Sequence, residues 1–287
     1  MELSMPTFHQ VRDFVHRLCG LFIPDDKHYL VRQRLEKLVV ERAGGDFAAF
    51  AELLVENPSI ELQEQIIAAI TTNETSFFRD NHPFDAFRDT ILLGLAKEVV
   101  RRRVKGENRP VRIWSAGSST GQEAYSLAII IREFVLAGMV PGVSLSDFSL
   151  LATDISAKVI DQARRGVFSE MEMCRGLSED SRQKYFVRDG DEWKIQDNLR
   201  DMVEFRKVNL LSPFGTFGVF DLIFCRNVLI YFDTRTKKTI LTRLHDSLSG
   251  QGMLIIGSAE NLYGVGNLFE PAHLGAATVY RKHTPIK

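Results

Sequence analysis

Through the first ~80 residues, apolar positions recur at spacings of three and four with little that alternates as a strand would, and this periodicity predicts helices. Thr7 with Gln10 makes a capping-box start for a helix that runs to Cys19, where Gly20 can stop it. Val31, Leu35, Leu38 and Val39 line one face of a second helix ending before Gly44 and Gly45. Asp46 caps a third, which carries Phe47, Phe50, Leu53 and Leu54 and is closed by Pro58. A fourth covers about 61–71, and beyond the segment 71–80 a further helix spans roughly 83–103, ending in Arg101, Arg102 and Arg103.

From Val111 the rhythm changes to short apolar runs separated by helical stretches, the pattern of a parallel sheet with crossover connections. Strands are expected at 111–116, 149–153, 203–207, 220–225, 253–257 and 277–281, with crossover helices at 123–136 and 236–248. Residues 166–198 break the alternation: a polar helix near 178–185 is followed by short strands at 185–187 and 193–195 across the turn Arg188, Asp189, Gly190, Asp191. The fold class expected is α/β, with an all-α domain at 1–80, a sheet domain at 81–287 and a small β-subdomain inserted at 166–198.

Composition narrows the function. Lys and Arg total 36 against 37 Asp and Glu, so no net field draws the chain to nucleic acid or anionic lipid. The N-terminus lacks a basic-then-apolar leader, and no run approaches the ~18 apolar residues of a membrane span, so the protein is expected in the cytoplasm. Cys19, Cys174 and Cys225 are far apart and odd in number, which predicts reduced thiols, with Cys225 buried in the run 220–225. The seven His residues show no zinc-type spacing, and Ser115, Ser118 and Ser119 do not sit in a nucleophile elbow, so neither a metal centre nor a hydrolase triad is expected.

The chemistry concentrates after the first strand. An apolar run enters Ala116, Gly117, Ser118, Ser119, Thr120 and Gly121, and a helix then begins near Gln122 and Glu123, the layout of a nucleotide or nucleoside site. A tight turn without a ligand is the alternative reading of this loop alone. Asp154, at the end of the second strand, adds an acid able to accept from both ribose hydroxyls. Together they indicate adenosine rather than a particular reaction. The loop is not G-x-G-x-x-G, and Asp154 lies farther from it than the ~20 residues usual in dinucleotide sites, which argues against a nicotinamide cofactor.

Two longer segments are more specific. Thr71 to Asp80, reading TTNETSFFRD, and Phe220 to Asp233, reading FDLIFCRNVLIYFD, resemble the two most distinctive signatures of the chemotaxis receptor glutamate methyltransferases, the CheR family. The resemblance runs from about Phe8 to Tyr280, with the STGQEAYS and ATDIS stretches in the family's order. The family's glycine loop reads closer to GEEPYS; Gln122 and Ala124 differ here, while Glu123 and Tyr125 remain.

The resemblance implies a Rossmann-like class I methyltransferase fold, S-adenosylmethionine as cofactor and S-adenosylhomocysteine as product, with no metal. It implies that Asn73, Thr75 and Arg79 contact the methionine part and the substrate, that Ala116 and Gly117 bind the cofactor, and that Glu123 holds the amino-acid end and Asp154 the ribose. Asn209 and Leu210 would line the adenine pocket, Arg226, Asn227 and Val228 would complete the wall, and Arg79 and Tyr231 would act at the reacting centre. Taken singly, Asn209 and Asn227 read as turn residues, Tyr231 as a core aromatic and Arg79 as an interdomain ion-pair partner. The implied partner is the cytoplasmic signalling domain of a methyl-accepting chemoreceptor, met by a monomer whose helical domain carries Lys27, Arg34 and Lys37 on one flank of the second helix. Some family members grip a receptor tail peptide with a longer Gly-rich hairpin loop than residues 188–191 offer, so tight tail binding is not expected.

Overall fold

The computed structural model describes residues 2–56, 58–262 and 264–283. The N-terminal unit holds α1 (Met5–Cys19), α2 (His28–Ala43), α3 (Phe47–Val55) and α4 (Ile60–Ile70) around a core that includes Phe8, Val15, Leu35, Phe50 and Ile66. Each start has a side-chain cap except that of α2, where Lys27 supplies none. The first cap differs from the expected one. Ser4, not Thr7, begins α1, and its hydroxyl accepts from the Thr7 N–H at 3.3 Å, which places Thr7 inside the helix. Gly20 ends α1 at φ +76°, and Asp46 caps α3 by accepting from Ala48 N–H at 2.8 Å.

The expected helix at 83–103 is α5 (His82–Ala86), a π-helical turn (Phe87–Ile91) and α6 (Leu92–Val104). The remaining helices are α7 (Gln122–Leu136), α8 (Ala157–Arg165), α9 (Glu170–Met173), α10 (Glu179–Tyr185), α11 (Asp197–Arg200) and α12 (Thr234–Asp246). The strands in chain order are β1 (Val111–Ala116), β2 (Phe148–Asp154), β3 (Val167–Ser169), β4 (Phe186–Asp189), β5 (Glu192–Ile195), β6 (Val203–Lys207), β7 (Phe220–Cys225), β8 (Leu248–Ile256), β9 (Phe269–Leu274) and β10 (Ala277–Lys282).

Seven of these strands form one sheet in the order β6-β2-β1-β7-β8-β10-β9. Pairing is parallel from β6 through β8 and antiparallel for β10 and β9. Five of these elements were not expected: α8, α9, α11, β3 and β9. The last is an edge strand containing Pro271, tolerated there because one side of an edge needs no ladder N–H. Neighbouring residues of β1 feed opposite faces of the sheet: Ile113 belongs to the core that holds Tyr125, Leu150 and Phe224, whereas Trp114 belongs to the one that holds Phe214, Ile223 and Ile240.

The insertion is a separate three-stranded sheet, β3-β5-β4, with a two-residue turn between Asp189 and Glu192. It grips the segment 71–80 that connects the two units. Phe77 stands edge-on to Phe168 and Phe186 at 5.0 and 5.4 Å, and a methyl group on Gly176 would lie 1.8 Å from the Phe77 carbonyl oxygen. On the other side, the end of α1 is tied to the sheet domain. Asn209 Nδ2 donates to Leu18 O at 2.9 Å, Phe22 N–H to Tyr231 O at 2.9 Å, and His16 Nε2 meets Asp233 Oδ2 at 2.8 Å, while Lys207 pairs with Glu64.

Candidate active site

The carboxyl ends of β1, β2 and β7, the end of α1 and the connecting segment enclose an open cavity of about 990 Å³, mouth included. Open parallel sheets bind ligands at this edge. Asn73, Thr75, Arg79, Gly117, Glu123, Asp154, Asn209, Leu210, Arg226, Asn227, Val228 and Tyr231 all line it. Ala116 does not: it is buried in the sheet end below the loop. Cys19, Leu21, Thr72, Ser118, Ser119, Ile155 and Phe232 also line the cavity and were not foreseen. Local pattern carries no signal for Cys19 and Leu21, which reach the wall only because the end of α1 meets the sheet, whereas Thr72, Ile155 and Phe232 lie within the quoted motifs. Ser118 and Ser119 were legible within the glycine loop.

Backbone strain is gathered at this place. Phe78, Asp80, Asn81, Ser119 and Asn227 are the non-glycine residues with positive φ among those described, and they lie in the connecting segment, directly after it, or in the loops that follow β1 and β7. Such conformations cost of order 1 kcal/mol or more apiece and persist only where the surroundings fix them. Ser119 is fixed by its N–H donating to Asp154 Oδ2 at 3.0 Å and its hydroxyl donating to Asn73 O at 2.8 Å. Asp154 also accepts from Ser156 N–H at 3.0 Å. Burial pushes the Asp154 carboxyl above its usual range, and the N–H groups of Ser156, Ser119 and Ile155 pull part of the way back.

Charge is arranged in a buried chain. The Arg226 guanidinium, 1% exposed, donates to Glu123 Oε2 at 3.1 Å and to Asp80 Oδ2 and Arg79 O at 2.7 Å each, and lies over the Phe84 ring. Glu123 Oε1 accepts from Ser115 Oγ at 2.8 Å. Arg226 therefore locks the connecting segment to β7 and holds Glu123 in the wall. Arg79 differs: its guanidinium donates to the Glu74 carbonyl at 2.9 Å and, among the described residues, meets no carboxylate at ion-pair distance. The Glu74 carboxylate instead pairs with Arg175 at 2.9 Å, which, with Arg79 nearby, lowers its pKa.

The cavity wall suits a nucleoside with an amino-acid arm. A methyl group on Gly117 would come within 2.3 Å of Val228 Cγ2, so this position stays open only as glycine. Ser118 Oγ and Arg226 Nε, on two residues of the cavity wall, are buried and without a hydrogen-bond partner in the protein. Apolar Leu21, Ile155, Val208 and Leu210 give a slot for a flat base. Among the described residues no cluster of His, Cys, Asp or Glu is set to hold a metal ion, and no helix is long and apolar enough to cross a membrane.

Fold and cavity together define a Rossmann-like α/β enzyme of the adenosine-cofactor class, carrying an all-α domain at its N-terminus. Residues 73–277 match the model of the CheR methyltransferase SAM-binding domain, and residues 6–71 match the CheR methyltransferase all-alpha domain. The chain is 37% identical over 284 residues to a chemotaxis protein methyltransferase of Vibrio parahaemolyticus, covering 98% of each chain. It is 34% identical to chemotaxis protein methyltransferase Cher2 of Pseudomonas putida, covering 96% of this chain and 97% of that one. Against chemotaxis protein methyltransferase 1 of Vibrio cholerae the identity is 37%, over 95% of this chain and 96% of its relative. The chain belongs to the CheR family of S-adenosylmethionine-dependent methyltransferases.

Proposed function

We propose that this protein, in the cytoplasm, esterifies glutamate side chains on the signalling domain of a methyl-accepting chemoreceptor. The observation that carries the reading is Arg79, a cation on the cavity wall whose guanidinium has, among the described residues, only a main-chain partner and so can receive an incoming carboxylate. When bound, S-adenosylmethionine supplies a methyl group on a positively charged sulfur leaving group. A glutamate substrate is already ionised near neutral pH, its ordinary pKa being about 4.3, so no residue here has to take its proton. The protein's work is placement and exclusion of water.

In this reading Arg79 orients the carboxylate and Tyr231 shapes the reacting centre. Glu123 and Ser118 face the amino-acid arm, Asp154 receives the ribose hydroxyls, and Leu210, Val208 and Ile155 flank the adenine. Asn209 is held in the adenine wall by donating to Leu18 O and accepting from Leu211 N–H, which, among the described residues, leaves its second amide N–H free for the base.

The helical domain would dock the receptor, and here the flank of α2 needs revision. Lys27 lies in the short 3-10 turn before α2 rather than on the helix, and Lys37 is exposed beside Glu41. Arg34 is turned inward, donating to Ile70 O and, at 2.8 Å, to Thr72 Oγ1. Lys27 and Lys37 therefore remain as docking charges, while Arg34 holds the connecting segment. The two-residue hairpin turn supports the expectation that a receptor tail peptide is not held tightly.

Incubation with labelled S-adenosylmethionine and receptor cytoplasmic fragments tests the reading. Base-labile methyl ester on glutamate is expected, and its absence with every fragment, while S-adenosylhomocysteine still binds, would sink the substrate assignment. Arg79→Ala should lower turnover on saturating receptor at least tenfold.

A further inference from the structure

Glu260 lies outside the cavity, in the loop after β8, yet its carboxylate gathers the N–H groups on which the cavity wall hangs. Its Oε2 accepts from Asn227 N–H at 2.9 Å and Gly257 N–H at 2.6 Å, and its Oε1 from Val228 N–H at 2.9 Å and Ile230 N–H at 3.3 Å. Three of these donors belong to the loop after β7, where Asn227 has φ +58°. The same loop carries Val228, packed onto Gly117, and Tyr231. Gly257 adds to the fit: a methyl group there would stand 2.8 Å from Glu260 Oε2 and 2.9 Å from Asn227 N.

We infer that Glu260 is a positioning residue for cofactor binding, its carboxylate holding residues 227–230 in the conformation that shapes the cavity wall against Gly117. The inference rests on the cofactor cavity described above. The chemistry of the side chain explains why a carboxylate is required. Each oxygen accepts two backbone N–H bonds, so an amide in its place would turn an NH₂ toward two N–H donors and leave both without an acceptor. A left-handed Asn227 has little intrinsic reason to persist once that hold is lost. Shortening by one methylene would pull the carboxylate away from the farther donors.

Calorimetry with S-adenosylhomocysteine on the full chain tests this. Wild-type binding comes first, since its absence would overturn the assignment of the cavity and not merely this inference. Glu260→Gln is then expected to raise the dissociation constant at least tenfold with melting temperature changed by only a few degrees. At saturating cofactor the receptor KM should be near that of the wild type. Gly257→Ala, which crowds the same carboxylate, is expected to shift affinity in the same direction. Unchanged affinity in a folded Glu260→Gln protein would overturn the proposal. Should that variant fail to fold, amide exchange in the ligand-free wild type decides: residues 227, 228, 230 and 257 should exchange slowly, and exchange at the rate of an open loop would overturn it equally.

Discussion

Gly117 and Val228 touch so closely that a methyl group on the glycine would sit 2.3 Å from Val228 Cγ2, and Gly117 has φ +77° besides. The two residues come from different strand ends, 111 positions apart in sequence, and together they set how near a ligand approaches the backbone. Gly117→Ala is expected to displace the Val228 loop and abolish measurable S-adenosylhomocysteine binding in calorimetry. Stability should fall by about 1–3 kcal/mol through combined crowding and backbone strain.

Asp154 predicts a pH dependence with a definite sign. Its pKa is raised by burial, so in the ligand-free protein this group contributes stability below the ordinary Asp value of about 3.9, and that contribution is lost as pH rises through the raised value. Ribose hydroxyls donate to the ionised form and so favour it. Cofactor affinity should therefore weaken as pH falls through the raised pKa. Asp154→Asn should weaken binding at neutral pH about tenfold or more and remove that acid limb, as read by calorimetry across a pH series.

Arg34 and Lys37 separate two roles that share one helix. Lys37→Glu should raise the receptor KM several-fold and leave S-adenosylhomocysteine affinity unchanged. Arg34→Glu breaks the tie to Ile70 O and Thr72, so it should weaken cofactor binding as well and cost about 1–3 kcal/mol in urea unfolding. Equal behaviour of the two variants would remove Lys37 from the docking surface.

Asp233 caps α12 by accepting from Thr236 N–H at 2.8 Å and also meets His16 across the domain boundary. Burial alone would raise its pKa, but Thr236 and His16 outweigh it and hold the carboxyl below the usual range. Its stabilising contribution is present above about pH 3.9 and is lost as pH falls through the depressed value. Asp233→Ala is expected to cost about 0.5–2 kcal/mol in thermal unfolding at neutral pH, with the gap to wild type closing in acid.

The thiols should react in a fixed order. Cys174 is exposed, burial pushes Cys19 up to about 11 although it lines the cavity, and Cys225 is raised well beyond the ordinary value. Because the thiolate is the reacting form, a disulfide reagent at neutral pH should label Cys174 rapidly in the native protein, and the other two at a rate set by unfolding. Rapid native labelling of Cys19 would contradict its placement.

The sequence by itself determined the division into a helical unit and a parallel-sheet unit, because apolar periods near 3.6 and short apolar runs register directly which faces each element buries. It also determined the glycine loop, Asp154 and the two long motifs, since their chemistry lies in contiguous residues. Strand β9 escaped because an edge strand with Pro271 shows no buried alternation, and α8 because its nine residues make only a short periodic run. Tertiary structure alone decided what the polar side chains do. Asn209 serves Leu18, Arg226 joins Glu123 to Asp80, the half-buried Arg34 ties to Ile70, and Glu260 carries the loop beside Asn227. A hydrogen bond needs its partner within about 3 Å, and which atoms come that close across 30 to 190 positions of sequence is fixed only when the chain has closed on itself.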